Sequence, residues 1–314
     1  MKTYNSAFAF NGKNPTVVTI GTFDGVHLGH KSILKRLVQT AKEDNLESVV
    51  LTFFPHPRWV LQQSSELKLI NTIEERKKLI EQSGLNHLVI HPFTKEFSRL
   101  TAEEYVEDIL VKNLNVKKFI IGYDHRFGRN RNADITNLRK FGEKFNFDIE
   151  EISAKEINDV AISSTKIRKA LNNGDVEIAN EYLGYHFMIS GTVIPGKAIG
   201  RTLGFPTANL QVSETYKMIP GNGIYIVQSQ IDSKKVYGVT SIGTNPTVGG
   251  TEKTIETHFL DFEADLYGKS LTLEFLKFIR PEKTFDTLER LRQEIENDVI
   301  AAKRYLKDRG TISF

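Results

Sequence analysis

The stretch TIGTFDGVHLGH, Thr19 to His30, decides how this chain is read. It closes the apolar run PTVVTIGTF (15–23), which reads as a buried strand, and opens onto a helical pattern from His30 to Asp44. In that pattern Ile33, Leu34, Leu37, Val38 and Ala41 fall on one face at helical spacing. Gly21, Gly25 and Gly29 let the backbone turn sharply and let a ligand approach it. A helix beginning near His27 offers free N–H groups and the positive end of its dipole, which together make an anion site. His27 and His30, at i and i+3, project from nearly the same face of the first turn. Two imidazole donors there suit the charge that develops on a phosphate under attack. The plainer alternative is a capping histidine beside a solvated one; the surrounding glycines, strand and helix favour the phosphate site. Zinc would need further ligands, and the chain holds 0 cysteines.

Outward from this turn the same alternation continues. SVVLTFF (48–54), HLVIHPF (87–93), KKFIIG (117–122) and FDIEEI (147–152) read as strands. Between them lie helical segments. Thr72 with Glu75 and Thr101 with Glu104 have capping-box spacing, opening helices to about Ser83 and Asn113. Another helix is expected over residues 134–145. Strands alternating with helices predict a doubly wound parallel sheet, which binds ligands beyond the carboxyl ends of its strands. The turn at 19–30 stands at such an end.

Near residue 184 the period changes. FMISGTVI, TANLQV, GIYIVQSQ, KKVYGVTSIG, TIETHFLDF and SLTLEFLKFI are six short β-branched and aromatic runs without helices between them. They predict a small six-stranded antiparallel β-barrel. A final helix, Phe285 to Leu306, is expected to pack on it through Leu288, Leu291, Ile295, Val299 and Ala302. The boundary falls in the helical stretch ending EIANEYLG, giving domains 1–183 and 184–314.

The 314 residues suit two domains with separate cores, and an apolar fraction of 39% with 26% charged residues is ordinary for a globular chain. The zero cysteine count excludes disulfides and thiolate sites and fits a reducing compartment, so a cytoplasmic location is expected. MKTYNSAFAFNGKNP lacks the sustained apolar core of a signal peptide, and no window suggests a membrane span. A net charge of +3 permits anionic ligands without arguing for nucleic acid.

Two further segments carry chemistry. AISSTKIRKAL (161–171) sets Ser163, Ser164 and Thr165 at a helix start with Lys166 and Arg168 following, a holder for pyrophosphate oxygens or an ordinary N-cap. GKAIGRTLGFPTANL (196–210) is a loop with Gly196, Gly200 and Gly204, flanked by Lys197 and Arg201, before Thr207 and Asn209. The last two present oxygen donors on one face of an extended segment, suited to Mg²⁺ carried by nucleotide phosphates. Glu256, in TIETHFLDF, could take a proton from a substrate hydroxyl.

GTFDGVHLGH with ISSTKIR resembles the HxGH nucleotidylyltransferases, a resemblance covering most of 1–183 and implying a Rossmann-like fold. It implies that His27 and His30 stabilise the α-phosphate. It further implies that Gly21, Phe23, Asp24, Gly25 and Gly29 line the ATP phosphates, and that Ser163, Ser164, Thr165 and Arg168 hold the leaving pyrophosphate. GRTLGFPTAN, GIYIVQ, SIGTNPTVGG, IETHFLDF and the run LYGKSLTLEFLKFIRPEKTFDTLERL closely resemble riboflavin kinase over 184–306. That resemblance implies Thr207 and Asn209 at the Mg²⁺–ATP site, Glu256 as general base with Glu274 its competitor, and Arg280 near the flavin. The whole chain resembles the bifunctional bacterial riboflavin kinase/FAD synthetases. FFPHPR and KEFSRLTAEEYV match that family's first domain, which implies His56 and Pro57, with Asp124 and Phe127, at the flavin. GYDHRFGRNR matches at Asp124, Phe127 and Gly128 and departs at His125, a position more often aromatic in the family.

The implied reactions use ATP, riboflavin, FMN and FAD as substrates or products, with small-molecule partners only, and leave the oligomeric state open. Rivals are an adenylyltransferase for another phosphate ester, a barrel of OB type binding single-stranded nucleic acid, and a flavin carrier without turnover. The flavin-kinase barrel argues against the first, and the near-neutral charge against the second.

Overall fold

The computed structural model describes residues 1–62, 66–122, 128, 133–153, 162–196, 199–244 and 253–310. The chain divides into two compact units, Met1–Ser164 and Thr165–Phe314.

The first unit is a six-stranded sheet in the order β1-β4-β3-β2-β5-β6, all neighbours parallel. Its strands are β1 (Lys2–Tyr4), β2 (Thr16–Ile20), β3 (Glu47–Phe53), β4 (His87–His91), β5 (Val116–Gly122) and β6 (Asp148–Ile152). From β2 the chain winds one way through β3 and β4, then returns to add β5 and β6 on the other side. The order therefore reverses at β2, whose carboxyl end is where an open α/β sheet binds its ligand.

Helices α1 (Leu28–Glu43), α2 (Pro57–Gln62), α3 (Ile73–Glu81) and α4 (Ala102–Glu104) join these strands, α4 running on as a π-helix over Tyr105–Asn113. α5 (Ile135–Phe145) follows β5. Both expected capping boxes are formed, Thr72 with Glu75 and Thr101 with Glu104. α5 starts on an Asp134 cap and stops at Asn146 in the left-handed region, φ 59°. The core on one side of the sheet gathers Val18, Val49, Leu51, Ile109, Leu110 and Phe119, all essentially inaccessible. The expected strand 15–23 ends at Ile20 because Phe23, Gly25 and Val26 take positive φ. β1 and α2 were not expected from the sequence.

The second unit opens with α6 (Ser164–Asn172), whose first residue closes the first unit, and α7 (Val176–Leu183). Then β7 (Met188–Ile194), β8 (Ala208–Gln211), β9 (Gly223–Ile231), β10 (Lys234–Thr244), β11 (Lys253–Phe259) and β12 (Ser270–Arg280) form a closed barrel ordered β10-β11-β8-β7-β12-β9. A four-residue helix, α8 (Ile199–Thr202), interrupts the connection from β7 to β8. Asp232 and Ser233, both at positive φ, make the two-residue turn that matches hairpin twist between β9 and β10.

The C-terminal helix α9 (Leu288–Asp308) buries Ala302 and Leu306 against Ile224, Ile226, Val239 and Leu276. It starts at Leu288 rather than Phe285 because the Thr287 hydroxyl accepts the Arg290 N–H at 3.2 Å. Leu288 was expected in the packing stripe; it is 57% exposed, since the first turn runs beyond the barrel surface that the later turns cover.

Candidate functional site

The turn after β2 is a strained, buried structure. Phe23 (φ 47°) and Val26 (φ 37°) sit in the left-handed region although neither is glycine, and both are buried. A β-branched residue there costs on the order of 1–3 kcal/mol and persists only where packing over-determines it. Gly25, at φ 87°, takes the one position between them where a side chain would add to the strain. The Val26 N–H donates to the Phe23 carbonyl at 3.1 Å, closing the turn.

His27 is the N-cap of α1. Its Nδ1 accepts the His30 N–H at 3.4 Å, which leaves the proton on Nε2, free to donate to a ligand. The two imidazoles stack at 3.7 Å with an interplanar angle of 18°. Burial lowers the pKa of His27 to about 4, opposed by the nearby Asp24 carboxylate. Burial also holds His30 well below the ordinary value, helped by His27 and the Arg76 guanidinium. At neutral pH both rings are therefore uncharged N–H donors. The Nδ1 of His30 is buried with no hydrogen-bond partner among the described residues, a cost tolerated at sites awaiting a ligand.

Asp24 is the hub behind the pair. Its carboxylate accepts the Ile70 N–H at 3.0 Å and the Asn71 N–H at 3.3 Å, just ahead of α3. The guanidinium of Arg76, on α3, lies 3.9 Å away, and both side chains are 1% exposed. The Ser164 hydroxyl donates to the Asp24 carbonyl at 2.9 Å. Expected among the residues lining the phosphates, Asp24 thus has its carboxylate engaged internally. Arg76 escaped the sequence reading: in TIEERKK it resembles any solvated helical charge, and no local signal marks its burial.

Gly21 and Gly29 take their expected places on either side of the turn, and Ser163 immediately precedes α6. Thr165 and Arg168 belong to the second unit, where α6 buries Ile167, Ala170 and Leu171. His56 is buried, its Nδ1 accepting the Arg58 N–H at 3.1 Å, and Pro57 opens α2. Asp124, His125, Phe127 and Lys197 lie outside the described residues.

In the barrel, residues far apart in sequence converge. Register pairs Asn209 of β8 with Glu256 of β11, and Glu256 with Ser241 of β10. Residues directly opposite in an antiparallel pair point to the same face, so Asn209, Glu256 and Ser241 share one. The Thr207 hydroxyl donates to the Glu256 carboxylate at 3.4 Å. Gly196 and Gly200 pack against this cluster: a Cβ on Gly196 would collide with the Asn209 amide, and one on Gly200 with the Phe205 carbonyl. Gly204, at φ 90°, ends the short helix, and Arg201 is exposed.

Thr207, Asn209 and Glu256 supply hydroxyl, amide and carboxylate oxygens, a hard-donor set that fits Mg²⁺. Among the described residues no three His, Cys, Asp or Glu side chains gather as a metal nest.

Glu274 is elsewhere. It stands on β12, two strands beyond β8, where Gln228 donates to its carboxylate at 2.5 Å and His186 lies 3.8 Å away. The neighbouring His186 lowers its pKa, partly offset by burial. Arg280 is engaged bidentately with Asp298 of α9, at 2.8 and 2.7 Å, and lies 3.3 Å from Glu294. It fastens α9 to the barrel with a charge-assisted fork.

Residues 10–166 match the FAD synthetase family and residues 183–306 the riboflavin kinase family. The chain is 37% identical over 294 residues to a bifunctional riboflavin kinase/FMN adenylyltransferase of Buchnera aphidicola, covering 92% of this chain and 94% of that one. It is 36% identical over 290 residues to the protein of that name from Escherichia coli K12, covering 92% of each. A crystal structure from Streptococcus pneumoniae, described as a macrolide-efflux protein, superposes with a TM-score of 0.87 at 30% identity, covering 96% of this chain and 98% of that one. Among the described residues here, no helix is long and apolar enough to cross a membrane.

Proposed function

This chain belongs to the bifunctional riboflavin kinase/FMN adenylyltransferases, and from that premise we infer how its two sites divide the work. The enzyme phosphorylates riboflavin with ATP, giving FMN and ADP. It then joins FMN to the AMP part of a second ATP, giving FAD and pyrophosphate. We assign the second reaction to residues 1–183 and the first to 184–314.

In adenylyl transfer the FMN phosphate oxygen attacks the α-phosphorus in line, and the bond to the pyrophosphate oxygen breaks. The attacking group is already anionic at neutral pH, so no general base is required. What the reaction needs is fixed donors for the growing charge. His27 and His30, neutral and stacked at the start of α1, meet that need through their N–H groups. Ser163 and the backbone N–H of Ser164, whose hydroxyl is given to Asp24, hold the departing pyrophosphate. Asp24 acts through its links to Ile70, Asn71 and Ser164 rather than on the nucleotide directly.

In phosphoryl transfer the Glu256 carboxylate takes the proton of the riboflavin 5′-hydroxyl as that oxygen attacks the γ-phosphorus and ADP leaves. Thr207 and Asn209 would hold Mg²⁺, which would supply charge neutralisation for the nucleotide phosphates. The observation that carries these assignments is the convergence of Thr207, Asn209 and Glu256 on one barrel face, with Glu274 two strands away. Arg280, which ties α9 to the barrel through Asp298, would lie near the flavin. The cysteine-free sequence fits a reducing, cytoplasmic compartment.

The test is direct. The purified chain, given riboflavin, Mg²⁺ and ATP, should yield FMN and then FAD when the flavins are separated by chromatography. Formation of neither overturns the reading. Adenylylation of a nicotinate or pantetheine phosphate in place of FMN would favour the rival transferase.

A further inference from the structure

The segment Phe205–Asn209 must present the Thr207 hydroxyl and the Asn209 amide to one point, yet it contains a residue that cannot be held in a β-ladder. Pro206 has no N–H to donate. The ladder between β8 and β11 accordingly has only two pairs, Glu256 with Asn209 and Thr257 with Ala208. Continued by one residue, that register would set His258 opposite Thr207, and there it stops.

At this point a side chain takes over from the backbone. His258 Nδ1 lies 3.0 Å from the Pro206 carbonyl oxygen. A carbonyl only accepts, so Nδ1 carries the proton and donates. The carbonyl belongs to the peptide unit that leads into Thr207, so this bond holds the plane from which the Thr207 side chain projects. The His258 ring also meets the Phe205 ring edge-on, with centroids 5.4 Å apart. From the opposite side the glycine loop closes in, leaving no room for a Cβ on Gly200 against the Phe205 carbonyl. Thr207 is thus fixed through its neighbours on both sides, while its own contact to Glu256 is a long 3.4 Å.

We propose that His258 is a positioning residue of the phosphoryl-transfer site, holding the Pro206–Thr207 peptide through its Nδ1–H where the ladder ends. This rests on the kinase reading of the barrel. His258 acts through Pro206 and touches no reacting group.

The test compares His258→Asn, whose amide N–H can reach the Pro206 carbonyl, with His258→Phe, which keeps the ring against Phe205 but has no donor. Misplacing a reacting group by about 1 Å costs up to about 10²-fold in rate. His258→Phe should therefore lose about 10–10² in kcat for riboflavin phosphorylation, with KM for riboflavin within about twofold. His258→Asn should stay within about threefold of the parent. Adenylylation of supplied FMN, measured on the same preparations, should be unchanged and reports that the chain is folded.

Calorimetric titration with Mg²⁺ and a non-hydrolysable ATP analogue gives a readout independent of turnover. One binding site should weaken in His258→Phe and recover in His258→Asn. A Phe variant as active and as tightly binding as the parent, or an Asn variant no better than Phe, overturns the proposal. If the parent forms no FMN, the kinase reading falls by itself. The titration then still judges His258, and equal binding by all three proteins counts against it.

Discussion

The two candidate sites are built in opposite ways. The turn after β2 is finished before any ligand arrives: its backbone is strained, its histidines are stacked, His27 buried and His30 partly so, and its carboxylate is engaged by Ile70, Asn71 and Arg76. The barrel site is half-open, with a long Thr207–Glu256 contact and glycines rather than side chains behind its donors. The difference follows from the chemistry assigned to each. Stabilising charge on an α-phosphate rewards donors that do not move, because reorganisation during the reaction raises the barrier. Taking a proton from a neutral hydroxyl while binding a metal-bearing nucleotide needs a carboxylate that can exchange partners, and catalytic hydrogen bonds commonly tighten only in the complex with substrate.

The sharpest way to break this comparison is His30→Ala. If the stacked pair supplies fixed donors, FAD formation from FMN should fall by about 10²–10³, while FMN formation from riboflavin is untouched. Equal loss of both activities in coupled and separate assays would mean that the two sites are not independent.

Glu256→Gln should follow in size. It keeps shape and an oxygen acceptor for Thr207 but removes the base, so riboflavin kinase turnover should drop by about 10²-fold, general acid–base catalysis contributing 10²–10⁴. Nucleotide affinity, read by calorimetry, should change little. An unchanged turnover would pass the proton to water, since Glu274 is held elsewhere by Gln228 and His186.

The smallest effect is on stability and has a definite sign. His27, and likewise His91 on β4, is lowered by burial to about 4, against an ordinary 6.5. His30 is lowered as well. Between pH 6.5 and 4 the unfolded chain binds more protons than the folded one, so the stability of the first unit is full above that window and falls as pH drops through it. The chain's only tryptophan, Trp59, lies in this unit and has its indole N–H on the Leu67 carbonyl at 2.9 Å. Its fluorescence should report denaturant midpoints declining from pH 6.5 towards 4; a flat profile would mean the histidines are not neutral in the fold.

Much of this was legible in the sequence because it is carried by local pattern. Period-2 and period-3.6 hydrophobicity, capping boxes and the glycine-rich turn each act over a few residues, and the strands and helices they announced are present. What escaped was set at a distance. β1 is three residues long and exists by pairing with β4, so it leaves no pattern of its own. The burial of Arg76 depends on Asp24, and the engagement of Arg280 depends on Asp298. The separation of Glu274 from Thr207 and Asn209 follows from strand order around the barrel, which no single segment encodes.

Strand order has one more effect, on how the chain behaves in company. A barrel that closes on itself has no border at which a foreign strand could add. The parallel sheet has two. One is the short β1; the other is β6, whose Asp148, Glu150 and Glu151 set an acidic fringe along the rim. At high concentration, such as inside a crowded cell, strand-on-strand aggregation therefore finds no long, uncharged edge among the described residues on which to begin.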